Sequence, residues 1–136
     1  MVELNQAQAE QTLWSHKMTY RTMQLDTGTW DLMLDGAGNL AIANDGYATA
    51  QDVASACLVF SGECYYDNTL GIPWKTDVLG KRPSPGYIQQ KMQTEAMKLP
   101  IVDKALANVF FDKNTRTMRG TIRVTDINGD ISQATL

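Results

Sequence analysis

A chain of 136 residues has room for one hydrophobic core and not for two, which excludes a multidomain enzyme. Hydrophobic residues at 43% and charged residues at 20% lie near the averages of folded domains, so composition does not impose disorder. The net charge of −3 offers no cationic field for the phosphates of nucleic acid or of anionic lipid, and nucleic acid is not an expected partner.

That charge is unevenly spread. Residues 1–70 carry Lys17 and Arg21 against nine acids, whereas residues 71–136 carry ten bases against six acids. Two surfaces of opposite sign suit ordered contacts with protein neighbours, although two ordinary solvated faces would give the same count. The longest unbroken apolar run, Ala56 to Phe60, falls far below the roughly 20 residues that span a bilayer. The sequence therefore reads as that of a soluble chain with no membrane partner. Its opening, Met1-Val2-Glu3-Leu4-Asn5-Gln6, has neither the basic nor the apolar stretch of a secretory signal, so nothing points to export. Cys57 and Cys64 are the only possible disulfide pair, one that a reducing cytoplasm would leave open.

Residues 1–22 read as an N-terminal arm, rich in Gln and Ala, and residues 23–136 as one domain. In the arm, Leu4, Leu13, Trp14 and Met18 mark one face of a short helix or of an amphipathic segment that docks elsewhere. From Met23 the period falls to two. Trp30, Leu32 and Leu34 alternate with Asp31, Met33 and Asp35, and Asp35-Gly36-Ala37-Gly38-Asn39 supplies turn chemistry before Leu40 to Ala43, which predicts a β-hairpin over 29–43. Its two glycines match neither a P-loop nor a dinucleotide fingerprint and read as turn residues.

Thr49 and Asp52 stand at capping-box spacing, and Ala50, Val53, Ala54, Cys57 and Phe60 follow at helical intervals until Gly62, which predicts a first helix ending there. A turn-rich stretch, Gly62 to Trp74, follows. Ser84 before Pro85 then opens a second helix whose stripe of Ile88, Met92, Ala96 and Leu99 is stopped by Pro100. Beyond it the period returns to two over 105–111, and again over 117–125, where Met118, Gly120, Ile122 and Val124 face one way and Thr117, Arg119, Thr121, Arg123 and Thr125 the other. Asn128-Gly129 is a tight hairpin turn into a last strand over 131–136, and its glycine is misplaced for an EF-hand.

The residues suggest three chemistries. Cys57 or Cys64 with His16 would make a nucleophile and base, but His16 sits in the polar arm, where a solvated histidine is ordinary. With a single histidine, no zinc site of ordinary composition can form, and no cofactor is expected. Glu63 with Asp67 or Asp77 would supply the two carboxylates of a glycosidase. The simpler reading of Glu63, beside a helix end and aromatics, is a hydrogen-bonded structural residue.

At Thr29-Trp30-Asp31-Leu32, Gln51-Asp52-Val53-Ala54-Ser55-Ala56, Gly62-Glu63-Cys64-Tyr65-Tyr66-Asp67, Gly71-Ile72-Pro73-Trp74 and Val78-Leu79-Gly80, the chain resembles the gene-product-twenty-five-like baseplate wedge proteins, or sheath initiators, of contractile-tailed bacteriophages. The resemblance spans roughly residues 23 to 130. It implies a structural protein of the virion tail baseplate, assembled in the host cytoplasm, with six copies per baseplate. The implied partners are wedge proteins, tube or hub proteins, and the first ring of sheath subunits, whose strands join its sheet. Many members carry Glu-Pro-Arg after the second helix; here Leu99-Pro100-Ile101 keeps only the proline, so apolar packing by Leu99 and Ile101 would have to replace a charged anchor to the wedge.

The expected fold is α+β, two helices packed on a mixed or antiparallel sheet with an N-terminal and a C-terminal hairpin. Val53, Cys57, Phe60, Ile88, Met92 and Ala96 are expected to share one core. The expected role is non-enzymatic: joining wedge and tube hub to the first sheath ring and initiating sheath by strand exchange. Alternatives are another baseplate or tail-adaptor role on the same fold, and a cell-wall glycosidase. Residues assigned to strand exchange are Arg119, Thr121, Arg123, Ile131, Gln133 and Leu136, and those assigned to the wedge or hub interface are Glu63, Tyr65, Tyr66, Trp74 and Pro100. Removal of residues 131–136 is expected to leave most of the core intact.

Overall fold

The computed structural model describes residues 19–136; the expected arm helix and His16 fall within residues 1–18, outside the described residues. The fold is α+β. Strands β1 (Arg21–Met23) and β2 (Ile42–Asn44) form a small antiparallel pair, and β3 (Val102–Asp112), β4 (Thr117–Asp126) and β5 (Ile131–Thr135) form an antiparallel sheet with β4 in the centre. Between them lie α1 (Asp45–Leu58), a single π-helical turn (Trp74–Val78) and α2 (Pro85–Ala96).

Both helices pack on one face of the three-stranded sheet. Val53, Ala54 and Cys57 from α1 and Ile88, Met92 and Ala96 from α2 meet Ala107, Val109, Ile122, Val124 and Ala134 from the sheet, with Ile72 and Ile101 closing the cluster. The alternation read over 117–125 is the inner-face alternation of β4: Gly120, Ile122 and Val124 are buried, while Arg119 and Arg123 are exposed. Gly120 lies directly under α2: a Cβ there would be in ordinary van der Waals contact with Met92 Cε at 3.5 Å and Val109 Cγ2 at 3.6 Å.

Helix ends differ from the expectation at three places. The first helix begins at Asp45 rather than near Thr49, and Thr49 is buried inside it, its hydroxyl donating to Asp45 O at 3.1 Å. It stops at Leu58 instead of running to Gly62, because Val59 turns extended so that its carbonyl accepts from Ile72 N (3.0 Å) while Ser61 N donates to Ile72 O (2.9 Å). Phe60 thereby forms a parallel bridge to Ile72, leaves the helical stripe and is half-buried outside the core cluster. Gly62, at φ 80, serves the turn after it. By contrast, Ser84 Oγ accepts from Tyr87 N at 3.3 Å with Pro85 in the first turn, as the Ser-Pro pair predicts. Yet α2 ends at Ala96, and Lys98 N and Leu99 N bond three residues back to Glu95 O and Ala96 O.

The N-terminal hairpin exists, in an unusual form. Leu34 pairs with Leu40 across the Asp35 turn, but Leu25 also pairs with Leu32, and the three segments close on one another. Gln24 N donates to Ala41 O (2.8 Å), Ala41 N to Met33 O (2.9 Å) and Met33 N to Gln24 O (3.2 Å). This lobe is fastened to α1 by Gln51, whose side chain accepts from Leu25 N (2.9 Å) and donates to Met23 O (2.8 Å), and by Tyr20, whose hydroxyl donates to Asp52 at 2.6 Å. Its apolar side chains face outward, and Leu34 is 65% exposed.

The burial pattern sets the energetic order of two substitutions. Met92 is 1% exposed, so Met92→Ala is expected to cost about 2–5 kcal/mol, and Phe60→Ala clearly less, when urea midpoints are compared at constant m-value.

A candidate assembly surface

Three parts of the surface carry the residues that the sequence singled out. The first is the free side of β5. Gly120 and Leu136 exchange both backbone hydrogen bonds, N to O at 3.0 Å and 2.8 Å, so bonded pairs recur at Ile122 with Ala134 and Val124 with Ser132. The intervening residues Ile131, Gln133 and Thr135 therefore turn their N–H and C=O groups away from β4, on a side where no other described strand pairs. Such an edge is a template for an added strand. The opposite edge, β3, starts with a register shift between Val102 and Lys104, a bulge of the kind that discourages pairing.

Arg119, Thr121 and Arg123 lie on β4, whose backbone is bonded on both sides, so only their side chains reach the outer face. There Arg123 is the register partner of Gln133, Thr121 of Thr135, and Ile131 sits beside Thr125. These seven residues share one face. Leu136 does not, being opposite Gly120 and packed against the core.

The second part is the crossing between α1 and α2. Gly71, at φ 96, is buried, and a Cβ there would come within 2.7 Å of the Phe60 backbone, which no side chain tolerates. Its N–H donates to Glu95 Oε2 at 3.0 Å; the other oxygen of this buried carboxylate takes Lys98 Nζ at 2.6 Å, and Lys98 also reaches Thr69 O at 2.6 Å. Trp74 Nε1 donates to Cys57 O at 3.0 Å, which ties the next segment to the end of α1. From this frame Tyr65 and Tyr66 project, 92% and 73% exposed, with their rings edge to face at 5.6 Å. Trp74 is half-buried and packs on the core, so the three aromatics do not act alike. A groove of about 240 Å³ lies among Phe60, Glu63, Trp74 and Lys75, the lysine ammonium 5.1 Å above the Phe60 ring. Pro100 is exposed in the turn after α2, but Ile101 is buried in the chain's own core and Leu99 packs against it, so neither is free to replace a charged anchor.

The third part is the N-terminal lobe, where Met23, Leu32, Leu34, Leu40 and Ile42 are exposed together. Alternation in the sequence showed that several of these residues share a face, and nothing in it showed that the face would be bare.

Acid–base and nucleophilic chemistry find little support here. Glu63 Oε2 accepts from Phe60 N at 3.1 Å while Glu63 N donates to Phe60 O at 3.0 Å, which makes Glu63 a turn residue. Asp67 is held below the usual carboxylate range by the hydroxyl and N–H of Thr69, and Asp77 by the Tyr87 hydroxyl at 2.7 Å. A glycosidase needs one carboxyl kept protonated by a raised pKa, the opposite shift. Of these three acids only Glu63 lines the groove. Burial, and then the charge of Glu95, push the Cys57 thiol up to about 12, so it stays neutral and unreactive. Among the described residues no cluster of His, Cys, Asp and Glu is placed to hold a metal, and no helix is long and apolar enough to cross a membrane.

A family model for the contractile injection system sheath initiator matches residues 21–129. The chain belongs to the sheath initiator family. Comparison with curated proteins finds no match. Family membership makes the chain a sheath-related structural component of a contractile injection system, located at its tail or baseplate and meeting sheath and baseplate proteins there. The matched span runs from β1 to the turn before β5, so it takes in the lobe, the crossing and the central strand β4.

Sequence reasoning missed Gln51 and Glu95, the two buried polar side chains that fasten the lobe and the crossing. The Glu95–Lys98 spacing was the available signal, and it reads equally well as a surface ion pair. Glu95→Ala would strand the Gly71 N–H and is expected to cost about 1–3 kcal/mol in urea unfolding, whereas Glu95→Gln keeps an acceptor there and should cost less.

Proposed function

We propose that the chain joins baseplate wedge and tube hub to the first sheath ring of a bacteriophage tail and starts sheath assembly by accepting a strand on the free side of β5. The observation that carries this reading is the one-sided pairing of β5, with the N–H and C=O groups of Ile131, Gln133 and Thr135 directed away from β4. An added strand would be registered by alternate side chains. Arg119 and Arg123, exposed on the outer face beside that edge, favour an acidic partner through their side chains. Six copies, one per wedge, would present six such edges around the tube.

In this reading the wedge or hub contact centres on Tyr65 and Tyr66, with Glu63 and Trp74 beside them at the groove and Pro100 as a further contact in the turn after α2. Paired, exposed aromatics on a braced turn are suited to interface anchors, because they add contact area at little entropic cost. Tyr65→Ala with Tyr66→Ala is expected to lower incorporation into baseplates while stability stays within about 0.5 kcal/mol of the parent, since neither ring touches the core. Normal incorporation would remove both residues from the interface.

Truncation after Asp130 is a poor test of the strand joint, because Ala134 belongs to the core and Leu136 packs on it. Gln133→Pro is cleaner. Its N–H bonds to nothing in β4, so proline removes an outward donor and leaves the β4–β5 ladder in place. Baseplates built with Gln133→Pro should fail to nucleate sheath while Gln133→Ala behaves as the parent, and Arg119→Ala with Arg123→Ala should weaken nucleation most at low salt, the difference from the parent shrinking as salt screens the charges. Normal sheaths on Gln133→Pro baseplates would refute strand addition at this edge.

A further inference from the structure

Two apolar surfaces of opposite charge lie at opposite ends of this chain, and neither is used by the β5 joint. One is the lobe, where Met23, Leu32, Leu34, Leu40 and Ile42 are exposed and Asp26, Asp31 and Asp35 stand in the same loops. Backbone N–H groups of Thr29 and Gly28 hold the Asp26 carboxyl below its ordinary range, and those of Asn39 and Ala37 do the same for Asp35, so both stay charged. The other is the tip of the β3–β4 hairpin. Val109 and Gly120 are the last buried pair of that ladder, and every residue from Phe110 to Arg119 is exposed. The tip thus overhangs the core by three register pairs, about 10 Å at strand spacing. It carries Phe110, 70% exposed, on one face and Phe111 with Met118 on the other, and around its turn Lys113, Arg116 and Arg119 outnumber Asp112.

The two surfaces do not meet within one molecule. A Cβ on Gly46, two residues past β2, would lie 3.8 Å from Ser132 Cβ, which sets the lobe side of α1 at the start of β5. Ser132 pairs with Val124, and the hairpin turn begins seven residues back along β4 at Thr117, about 20 Å away. A large bare apolar area marks a contact site. Here each area also has a counterpart in the same sequence: an acid-bearing apolar lobe and a base-bearing apolar finger.

We propose that the hairpin tip of one copy docks on the lobe of a second copy, Phe111 and Met118, which share one face of the hairpin, against Leu32, Leu34 and Leu40, with Lys113 and Arg116 beside Asp31 and Asp35. Because the two patches differ, the contact is heterologous, and it propagates head to tail into a closed ring or an open chain. It reaches beyond the sheath joint, and it survives or fails independently of it, since the β5 edge takes no part.

Sedimentation velocity of the full chain over a concentration series tests this. The parent is expected to self-associate, less so as salt rises. A lobe variant (Leu34→Ser with Leu40→Ser) and a tip variant (Phe111→Ser with Met118→Ser) should each be monomeric, because every contact needs both patches. Mixed together they should give a one-to-one dimer and nothing larger, as the intact tip of one meets the intact lobe of the other once. As a second pair, Asp31→Lys and Arg116→Glu should each weaken association about tenfold, and the mixture should recover it. A parent that stays monomeric, a tip variant that still self-associates through its lobe, or a mixture that forms no dimer would each overturn the proposal. The first result would mean that the lobe is covered by residues 1–18 or by another protein.

Discussion

A buried N–H needs an acceptor, and the one on Gly71 has only the carboxylate of Glu95. Much of the functional surface depends on that bond. It draws residues 69–72 against α2, and Gly71 is the residue that can approach the Phe60 backbone closely enough for Val59, Ser61 and Ile72 to bond across the gap. The first helix must therefore end at Leu58. Phe60 is pulled to the rim of a groove, and the turn carrying Tyr65 and Tyr66 is braced from both ends. Lys98 keeps the carboxylate paired and clasps Thr69 at the same time, so the charge is buried without being isolated.

The remaining architecture is one-sided. Both helices cover the inner face of the β3–β4–β5 sheet, and no described element covers the outer face, the β5 edge or the hairpin tip. The N-terminal lobe adds a further apolar surface, held to α1 by Gln51 through backbone bonds and not by a core of its own. A chain this short cannot enclose all the apolar residues it carries. In a sheath initiator, whose working state is an assembly, the exposed excess is contact area that neighbouring chains can cover.

Chemistry at single residues points the same way. Carboxylates that looked like a catalytic pair are each occupied in a turn or by a tyrosine hydroxyl, and hydrogen bonds hold Asp67 and Asp77 below the usual carboxylate range. The buried thiol is kept neutral. What the fold leaves available is backbone hydrogen-bonding capacity and aromatic area, the materials of joints.

The sequence by itself determined the strands and helices that have a strong period and a clear stop or start: the second helix from Ser84-Pro85, the alternation of β4, the Asn128-Gly129 turn, and five of the six residues expected in the core. Those signals are local, set by backbone geometry and by which side chains share a face. Only the tertiary structure decided whether anything lies against that face. Trp30, Leu32 and Leu34 alternate as cleanly as buried residues and are exposed, because no described element packs over the lobe; Ile101, which looked free for a partner, is consumed by the core. Phe60 kept its helical spacing in the sequence and lost its place in the stripe when the Val59–Ile72 bonds ended the helix. Likewise Arg119 and Arg123 stood out in the sequence, but that they sit on a central strand while Gln133 holds the free edge is a matter of strand order, which spacing does not encode.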